Sequence, residues 1–154
     1  MEKNPDILIE HNLWGLLSSG NINDKTLCEA FLPALSEKKY TVFISQKTME
    51  ISNNWQESSK EILKGLILKL KPIIIVPNEE INKLSEEYKK YGLFSSPQNL
   101  YYTEAASCAV NNIPVILSTD YKNLVRLEIK MKIKGINQMF GYQPVEIVTP
   151  MELF

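Results

Sequence analysis

The stretch Asp6-Ile-Leu-Ile-Glu10 is the first regular structure that the sequence predicts, and it sets the pattern for the rest of the chain. Three consecutive apolar residues lie between two acids, which is typical of a short buried strand. An amphipathic stretch, residues 12–18, follows at once and ends before Gly20. These residues therefore predict a buried strand that leads directly into a helix.

The same alternation continues to the end of the chain. Further apolar runs predict four more strands, and helical patterns separate them; the strands are residues 41–45, 72–76, 114–118 and 145–148, and the helices are residues 23–36, 48–70, 78–91, 97–111 and 120–132. Strands that alternate with helices favour an α/β fold, with a mostly parallel sheet of about five strands covered by helices on both faces. Because Pro72-Ile-Ile-Ile-Val76 is nearly all β-branched, we expect that strand to be buried on both faces. No linker or repeat interrupts the pattern, so residues 1–154 are predicted to form a single three-layer domain.

The composition is that of an ordinary globular protein. The chain has 154 residues, of which 44% are hydrophobic and 23% charged, and its formal net charge is -1. This balance excludes a general basic field for coating nucleic acid, so any such contact would need a local patch. Lysines interrupt the long apolar region at residues 62–76, which excludes a membrane span there. The amino-terminal residues are too acidic for a signal peptide, and we expect a cytoplasmic protein.

Cysteine and histidine are too scarce for several kinds of site. Cys28 and Cys108 are isolated and far apart, so the sequence predicts no disulfide framework and no cysteine-rich metal site. The single histidine, His11, excludes zinc sites built from paired histidines. If the protein is an enzyme, carboxylates are therefore the expected catalytic groups.

Acidic residues follow two of the predicted strands. Glu10 ends the first strand, and Asp120 comes just after the fourth, in Ser118-Thr-Asp120. The second strand ends at Ser45 and the third at Pro77, so the acidic bias is partial. Because ligands collect at the carboxyl ends of parallel strands, these acids are the candidate functional residues.

Five segments resemble the PIN-domain family in their order and spacing. The segments are Ile7-Leu-Ile-Glu-His-Asn12, Val42-Phe-Ile-Ser-Gln-Lys-Thr-Met-Glu50, Glu104-Ala-Ala-Ser-Cys-Ala109, Val115-Ile-Leu-Ser-Thr-Asp120 and Glu146-Ile-Val-Thr-Pro150. Each segment alone is common in proteins, but five in the family's order across most of the chain are moderately specific. The resemblance implies a PIN-like fold and a metal-dependent nuclease.

The resemblance also implies an acidic quartet. Its first, second and fourth acids match Glu10, Glu50 and Asp120, although the family usually has Asp where this chain has Glu10. The third position falls near Tyr101, which cannot replace an acid, and Glu104 lies one helical turn later on the same side. We therefore expect Glu10, Glu50, Glu104 and Asp120 to be the metal ligands and catalytic residues, with two departures from the family pattern.

Clustered carboxylates of this kind favour Mg²⁺ or Mn²⁺. These cations prefer oxygen ligands, make hydroxide available near neutral pH and neutralise a phosphate in the transition state. Asn12 and Ser118 are expected to support the ligands. Each acid also has a structural interpretation: Glu10 and Asp120 suit helix caps, and Glu50 suits a solvated helix face.

A basic stripe is predicted beside this site. Lys122, Arg126, Lys130 and Lys134 recur every fourth residue, so a continuous helix would align them and let Lys122, Arg126 and Lys130 hold RNA phosphates. A solvated helix face is the alternative. Tyr101 and Tyr102 either stack on an unpaired base or pack in the core.

Two functions follow from the resemblance. The first is a metal-dependent endoribonuclease that cleaves single-stranded RNA, as the toxin of a toxin–antitoxin pair with an antitoxin protein as its partner. The alternative is a catalytically degenerate PIN-like module that binds RNA or a protein. The resemblance also implies a homodimer as a secondary expectation, because PIN-domain proteins often dimerise through helices and residues 62–70 have a wide apolar face. A nucleotide-binding domain is disfavoured, because no glycine-rich loop follows a strand.

Overall fold

A computed structural model of the protein describes residues 5–37, 40–93 and 99–153, but not the side chains of residues 22–25, 27, 28 and 99. Strands and helices alternate through the described residues, in the order β1 (Asp6–Ile9), α1 (His11–Leu17), α2 (Ile22–Glu37), β2 (Thr41–Ser45), α3 (Gln46–Ser52), α4 (Glu57–Leu70), β3 (Ile73–Ile75), α5 (Glu79–Lys90), α6 (Asn99–Val110), β4 (Val115–Leu117), α7 (Leu127–Met139), β5 (Glu146–Val148) and α8 (Pro150–Leu153).

The five strands form one parallel sheet in the order β3-β2-β1-β4-β5. β1 lies at the centre, where Ile7 pairs with Val42 on one side and with Val115 on the other. This topology confirms the α/β architecture predicted from the sequence. Because all strands run the same way, the residues that follow β1 and β4 emerge side by side at one edge.

Two apolar clusters cover the two faces of the sheet. Alternate side chains of a strand point to opposite faces, so Ile7 and Ile9 pack in one cluster and Leu8 packs in the other. The first cluster includes Trp14 of α1, and the second includes Tyr101 of α6; both are almost fully buried. The site described below therefore lies at the edge of a sheet that is packed on both faces. Among the described residues, no helix is long and apolar enough to cross a membrane.

The expectation that residues 72–76 form a strand buried on both faces is wrong. Ile73 and Ile74 are about half exposed, at 51% and 50%, and Val76 is 57% exposed. β3 is an edge strand, because it pairs with β2 alone. A β-branched run has the same sequence pattern in the middle of a parallel sheet and at its edge, so the pattern could not place it.

Residues 48–70 form two helices where one was predicted. α3 ends at Ser52, and a turn follows in which the backbone N–H of Trp55 donates to the carbonyl of Ser52 at 3.1 Å. Gln56 then has an extended backbone, and α4 begins at Glu57. Asn53 and Asn54 are poor helix formers, which is the physical reason for the break.

The helix predicted over residues 120–132 begins only at Leu127. The carbonyl of Asp120 accepts the N–H groups of Leu124 and Val125, which closes a turn, and Arg126 precedes α7 with an extended backbone. Lys122 and Arg126 therefore lie outside α7, whereas Lys130 and Lys134 lie within it. The prediction of one continuous basic stripe over these four residues is wrong.

Candidate functional site

The site lies where β1 and β4 end. The two strands are hydrogen-bonded neighbours, and the backbone N–H of Glu10 still donates to the carbonyl of Leu117 at 3.2 Å. Just beyond, the Ser118 hydroxyl donates to Glu10 Oε1 at 3.1 Å and accepts the backbone N–H of Asp120 at 3.0 Å. Parallel pairing thus brings together residues that are 108 positions apart in the sequence, with Ser118 joining Glu10 to the segment that carries Asp120.

Glu10 is fully buried and caps helix α1. Its Oε1 accepts the N–H of Leu13 at 2.8 Å, and its Oε2 accepts the N–H of Asn12 at 2.6 Å. These are N–H groups of the first turn, which have no partner inside a helix. The structural interpretation of Glu10 is therefore correct, and it is compatible with a second role for its remaining lone pairs.

Glu104 reaches the same place from helix α6. It is 1% exposed, and its Oε1 accepts the backbone N–H of His11 at 3.3 Å and lies 2.5 Å from the ring atom Nδ1 of His11. Its Oε2 is buried and has no hydrogen-bond partner among the described residues. Leaving a buried carboxylate oxygen without a partner is costly, so this atom suggests a ligand.

Burial and the closeness of these groups shift the pKa of Glu10 and that of His11. Burial, reinforced by the nearby Glu104 carboxylate, raises the pKa of Glu10 from 4.5 to about 7. Burial works against protonation of His11, but the hydrogen bond and charge of Glu104 outweigh it and raise the pKa of His11. Both shifts favour the protonated forms of Glu10 and His11 near neutral pH.

Ligand atoms of Glu10, His11 and Glu104 all lie within 4.8 Å of one another. Two carboxylate oxygens and one imidazole nitrogen form a donor set that divalent cations accept. The unpartnered Oε2 of Glu104 and the closeness of two buried carboxylates both fit a bound cation. The residues present are therefore compatible with a metal site.

Asp120 lies at the rim and differs from the buried pair. Its Oδ2 accepts bonds from the Tyr101 hydroxyl and from Asn12 Nδ2, the latter at 3.1 Å, and its Oδ1 accepts the N–H of Asn123 at 3.0 Å. Partial burial works against its ionisation, but these donors outweigh it and lower the pKa of Asp120. Asp120 is thus ionised, well supplied with donors and partly exposed.

Tyr101 stands where the resemblance places the third acid. It is almost fully buried, and its hydroxyl donates to Asp120 and accepts from Asn12 Nδ2 at 2.5 Å. The interpretation as a core residue is correct for the ring, while the hydroxyl belongs to the site. The family pattern has an acid at this position, which could have indicated that Tyr101 belongs to the site. Because tyrosine is not an acid, the residue type gave no such indication.

Glu50 lies apart from the other three acids in its contacts. It is exposed on α3, where its carboxylate pairs with Lys47 Nζ at 3.4 Å. Among the described residues it has no hydrogen bond to Glu10, His11, Glu104 or Asp120. The structure therefore brings together three of the four predicted acids, and it adds His11, which was not among the predicted site residues.

The three basic residues predicted to bind RNA lie in two different elements of the chain. Lys122 and Arg126 are exposed in the segment between Asp120 and α7, and Arg126 lies 3.5 Å from Glu128. Lys130 is half-buried on α7. Lys122 and Arg126 thus follow the rim acid directly along the chain, although they do not form a helical stripe.

A shallow cavity of about 390 Å³ opens at the rim, lined by Asn12, Gly15, Leu16, Thr119 and Asp120. A larger concavity of about 830 Å³ lies elsewhere, between α5 and the end of α7, and includes none of the predicted site residues. The smaller one is the candidate functional cavity, because it is lined by Asn12 and Asp120 of the hydrogen-bonded rim.

No protein-family model matches the sequence, and no curated protein matches it. A solved structure does: a chain of VapBC2 from Rickettsia felis, bound to a DNA fragment from their promoter, has a similar fold with a TM-score of 0.57. The two are 11% identical, over 93% of this chain and 97% of that chain. Similarity at this identity shows a shared fold. The chain therefore has the PIN-like fold that the sequence resemblance predicted.

Proposed function

We propose that this protein is a divalent-metal-dependent endoribonuclease that cleaves single-stranded RNA. The observation that carries the proposal is the buried pair of carboxylates, Glu10 and Glu104, where Glu104 Oε2 has no partner among the described residues. Two carboxylates buried beside one another repel each other, His11 leaves Glu104 Oε2 without a partner among the described residues, and a Mg²⁺ or Mn²⁺ ion would compensate both.

The four predicted acids have different roles in this proposal. Glu10 and Glu104 would hold the cation directly, because both are buried beside one another. Asp120 would face the substrate at the rim, with Asn12 and Ser118 keeping it in place. Glu50 would contribute only after leaving its ion pair with Lys47.

A cation bound there would lower the pKa of the attacking water and neutralise charge that develops on the phosphate. The chain's own residues position the reactants. Asp120, which is kept ionised by Tyr101 and Asn123, would orient the attacking water by hydrogen bonding. Lys122, Arg126 and Lys130 would contact phosphates that flank the scissile bond.

A partner protein completes the proposal. The structurally similar chain comes from VapBC2, and the resemblance to PIN domains implies a toxin that an antitoxin neutralises. We propose the same arrangement here, with an antitoxin that covers the rim. A homodimer is a second possible assembly, since Leu68 and the β3 side chains Ile73 and Ile74 are exposed apolar groups.

Cleavage of a labelled single-stranded RNA by the purified protein tests the enzyme. Cleavage is expected with Mn²⁺ or Mg²⁺, should stop in excess EDTA and should be lost in Glu104→Gln. Glu86→Gln is the matched control, because Glu86 is an exposed helical acid paired with Lys89. Cleavage that persists in EDTA would contradict the mechanism.

One observation favours a second function, a non-catalytic module that binds RNA or a protein. Tyr101 occupies the position of an acid and donates to Asp120, so the oxygens of Asp120 already have protein partners. The module hypothesis predicts RNA or protein binding that is unchanged by EDTA, together with no thermal shift on addition of Mn²⁺. A thermal shift that Glu104→Gln abolishes would exclude it.

A further inference from the structure

His11 adds an imidazole to what would otherwise be an all-carboxylate site. Its Nδ1 lies 2.5 Å from Glu104 Oε1 and 3.5 Å from Glu10 Oε2, so the imidazole lies beside both buried acids. Its side chain is 15% exposed, whereas the two acids are 1% exposed or less. The ring is therefore the most accessible of the three groups, and an ion entering from solvent would meet it first.

We propose that His11 is itself a cation ligand, together with Glu10 and Glu104, and that this mixed nitrogen and oxygen site selects first-row transition-metal ions, Mn²⁺ among them, over Mg²⁺. The proposal rests on the cation of the proposed function, but not on RNA cleavage. It differs from an all-acid site in the ligand and in the metal that the ligand favours.

The short contact between His11 and Glu104 explains how an ion would enter. A separation of 2.5 Å between Nδ1 and Oε1 is that of a strong hydrogen bond, in which one proton is held between the two atoms. A cation that takes both atoms as ligands replaces this proton, which passes to solvent. A cation held by Glu104 would also provide a partner for its Oε2, which has none among the described residues.

Ligand chemistry decides the selectivity. Mg²⁺ is a hard cation that favours oxygen ligands and retains its waters, so an imidazole contributes little to its binding. Imidazole suits the later first-row ions, and affinity for a given site rises from Mn²⁺ towards Cu²⁺. Replacing one carboxylate of an acidic site by histidine also removes a negative charge, which weakens Mg²⁺ binding further.

The alternative is a purely structural role, in which His11 only joins α1 to α6 through its hydrogen bond to Glu104. His11→Asn separates the two roles, because the asparagine amide can still donate to Glu104 from a position close to that of Nδ1. The amide is, however, a poor ligand for transition metals. A purely structural histidine would leave the preference between metals unchanged in this variant.

Calorimetric titration of the tag-free protein with Mn²⁺ and with Mg²⁺ tests the proposal. We expect the wild type to bind Mn²⁺ at least about tenfold more tightly than Mg²⁺. His11→Asn should weaken Mn²⁺ binding by about 10- to 100-fold and change Mg²⁺ binding much less. Equal effects on both metals would overturn the proposal while leaving the cation of the proposed function in place.

A second measurement does not depend on the variant folding. The sequence has one histidine, so ¹⁵N-histidine labelling reports on His11 alone. Saturating Zn²⁺ should shift the Nδ1 resonance, and Mn²⁺ should broaden it beyond detection, whereas Mg²⁺ should change it little. Ring resonances that stay unchanged at saturating Mn²⁺ would overturn the ligand role, whether or not the protein cleaves RNA.

Discussion

Two parts of one acidic edge behave in opposite ways. Glu10 and Glu104 are buried and close to each other, Glu104 Oε2 has no hydrogen-bond partner among the described residues, and the pKa of Glu10 is raised to about 7 mainly by burial. Asp120, at the rim, has donors for both oxygens, and its pKa is lowered despite partial burial. The difference teaches that burial and nearby hydrogen-bond donors decide how readily a carboxylate ionises, and therefore whether a bound cation would stabilise it.

The largest expected effect is on RNA cleavage, which should fall further when the buried acid Glu104 is replaced than when the rim acid Asp120 is replaced. Glu104→Gln should reduce metal-dependent RNA cleavage about a thousandfold, because the cation supplies several kcal/mol of charge stabilisation that this ligand secures. Asp120→Asn should reduce it only about 10- to 100-fold, since the rim acid has protein donors already. Single-turnover rates at saturating Mn²⁺ measure both. A larger loss for Asp120→Asn would reverse our assignment of the two parts.

The second prediction concerns pH. A raised pKa in the folded state means that Glu10 contributes stability below about pH 4.5, which is lost as pH rises through about 7. The metal-free protein should therefore lose up to about 3 kcal/mol of unfolding free energy over this range from Glu10 alone. Urea denaturation in EDTA at a series of pH values measures it.

Glu10→Gln is the control for this pH dependence. The variant cannot ionise at this position, so its unfolding free energy should vary less between pH 4.5 and 7 than that of the wild type. Asp120 acts in the opposite sense, because a lowered pKa gives stability that is lost as pH falls. A Glu10→Gln variant with the full wild-type pH dependence would show that Glu10 ionises normally.

A smaller effect is expected when the hydroxyl of Tyr101, which stands in place of the family's third acid, is removed. Tyr101→Phe removes the donor to Asp120 and should cost about 1 kcal/mol of unfolding free energy. It should also raise the pKa of Asp120, since one of the donors that stabilise the carboxylate is lost. Denaturation and NMR titration of the Asp120 carboxyl check the two parts. An unchanged pKa of Asp120 would mean that Asn12 and Asn123 suffice.

The smallest effect is expected at Glu50. Its side chain and that of Lys47 are more than half exposed, and such ion pairs contribute little. Glu50→Gln should change the unfolding free energy by less than about 0.5 kcal/mol and should leave the Mn²⁺ thermal shift nearly intact. If the variant instead loses that shift, Glu50 leaves Lys47 and joins the buried pair when the metal binds.

Much of the site's location could be predicted from the sequence. Glu10 and Asp120 each follow an apolar strand, and in a parallel sheet the ends of such strands meet at one edge, so their placement on that edge needed only the pattern. The contact between His11 and Glu104 could not be predicted in this way. The two residues lie 93 positions apart, and their meeting depends on how α6 packs beside β1.

The sequence by itself determined the alternation of strands and helices, the parallel sheet and the acids at the ends of β1 and β4, because hydrophobic periodicity is a local property. Only the tertiary structure decided that β3 is an edge strand, that Glu50 faces solvent and that Tyr101 joins Asp120. Burial and side-chain direction depend on neighbours that are distant in the chain. The same packing placed an imidazole between two buried carboxylates, and that juxtaposition is the basis of the proposed chemistry.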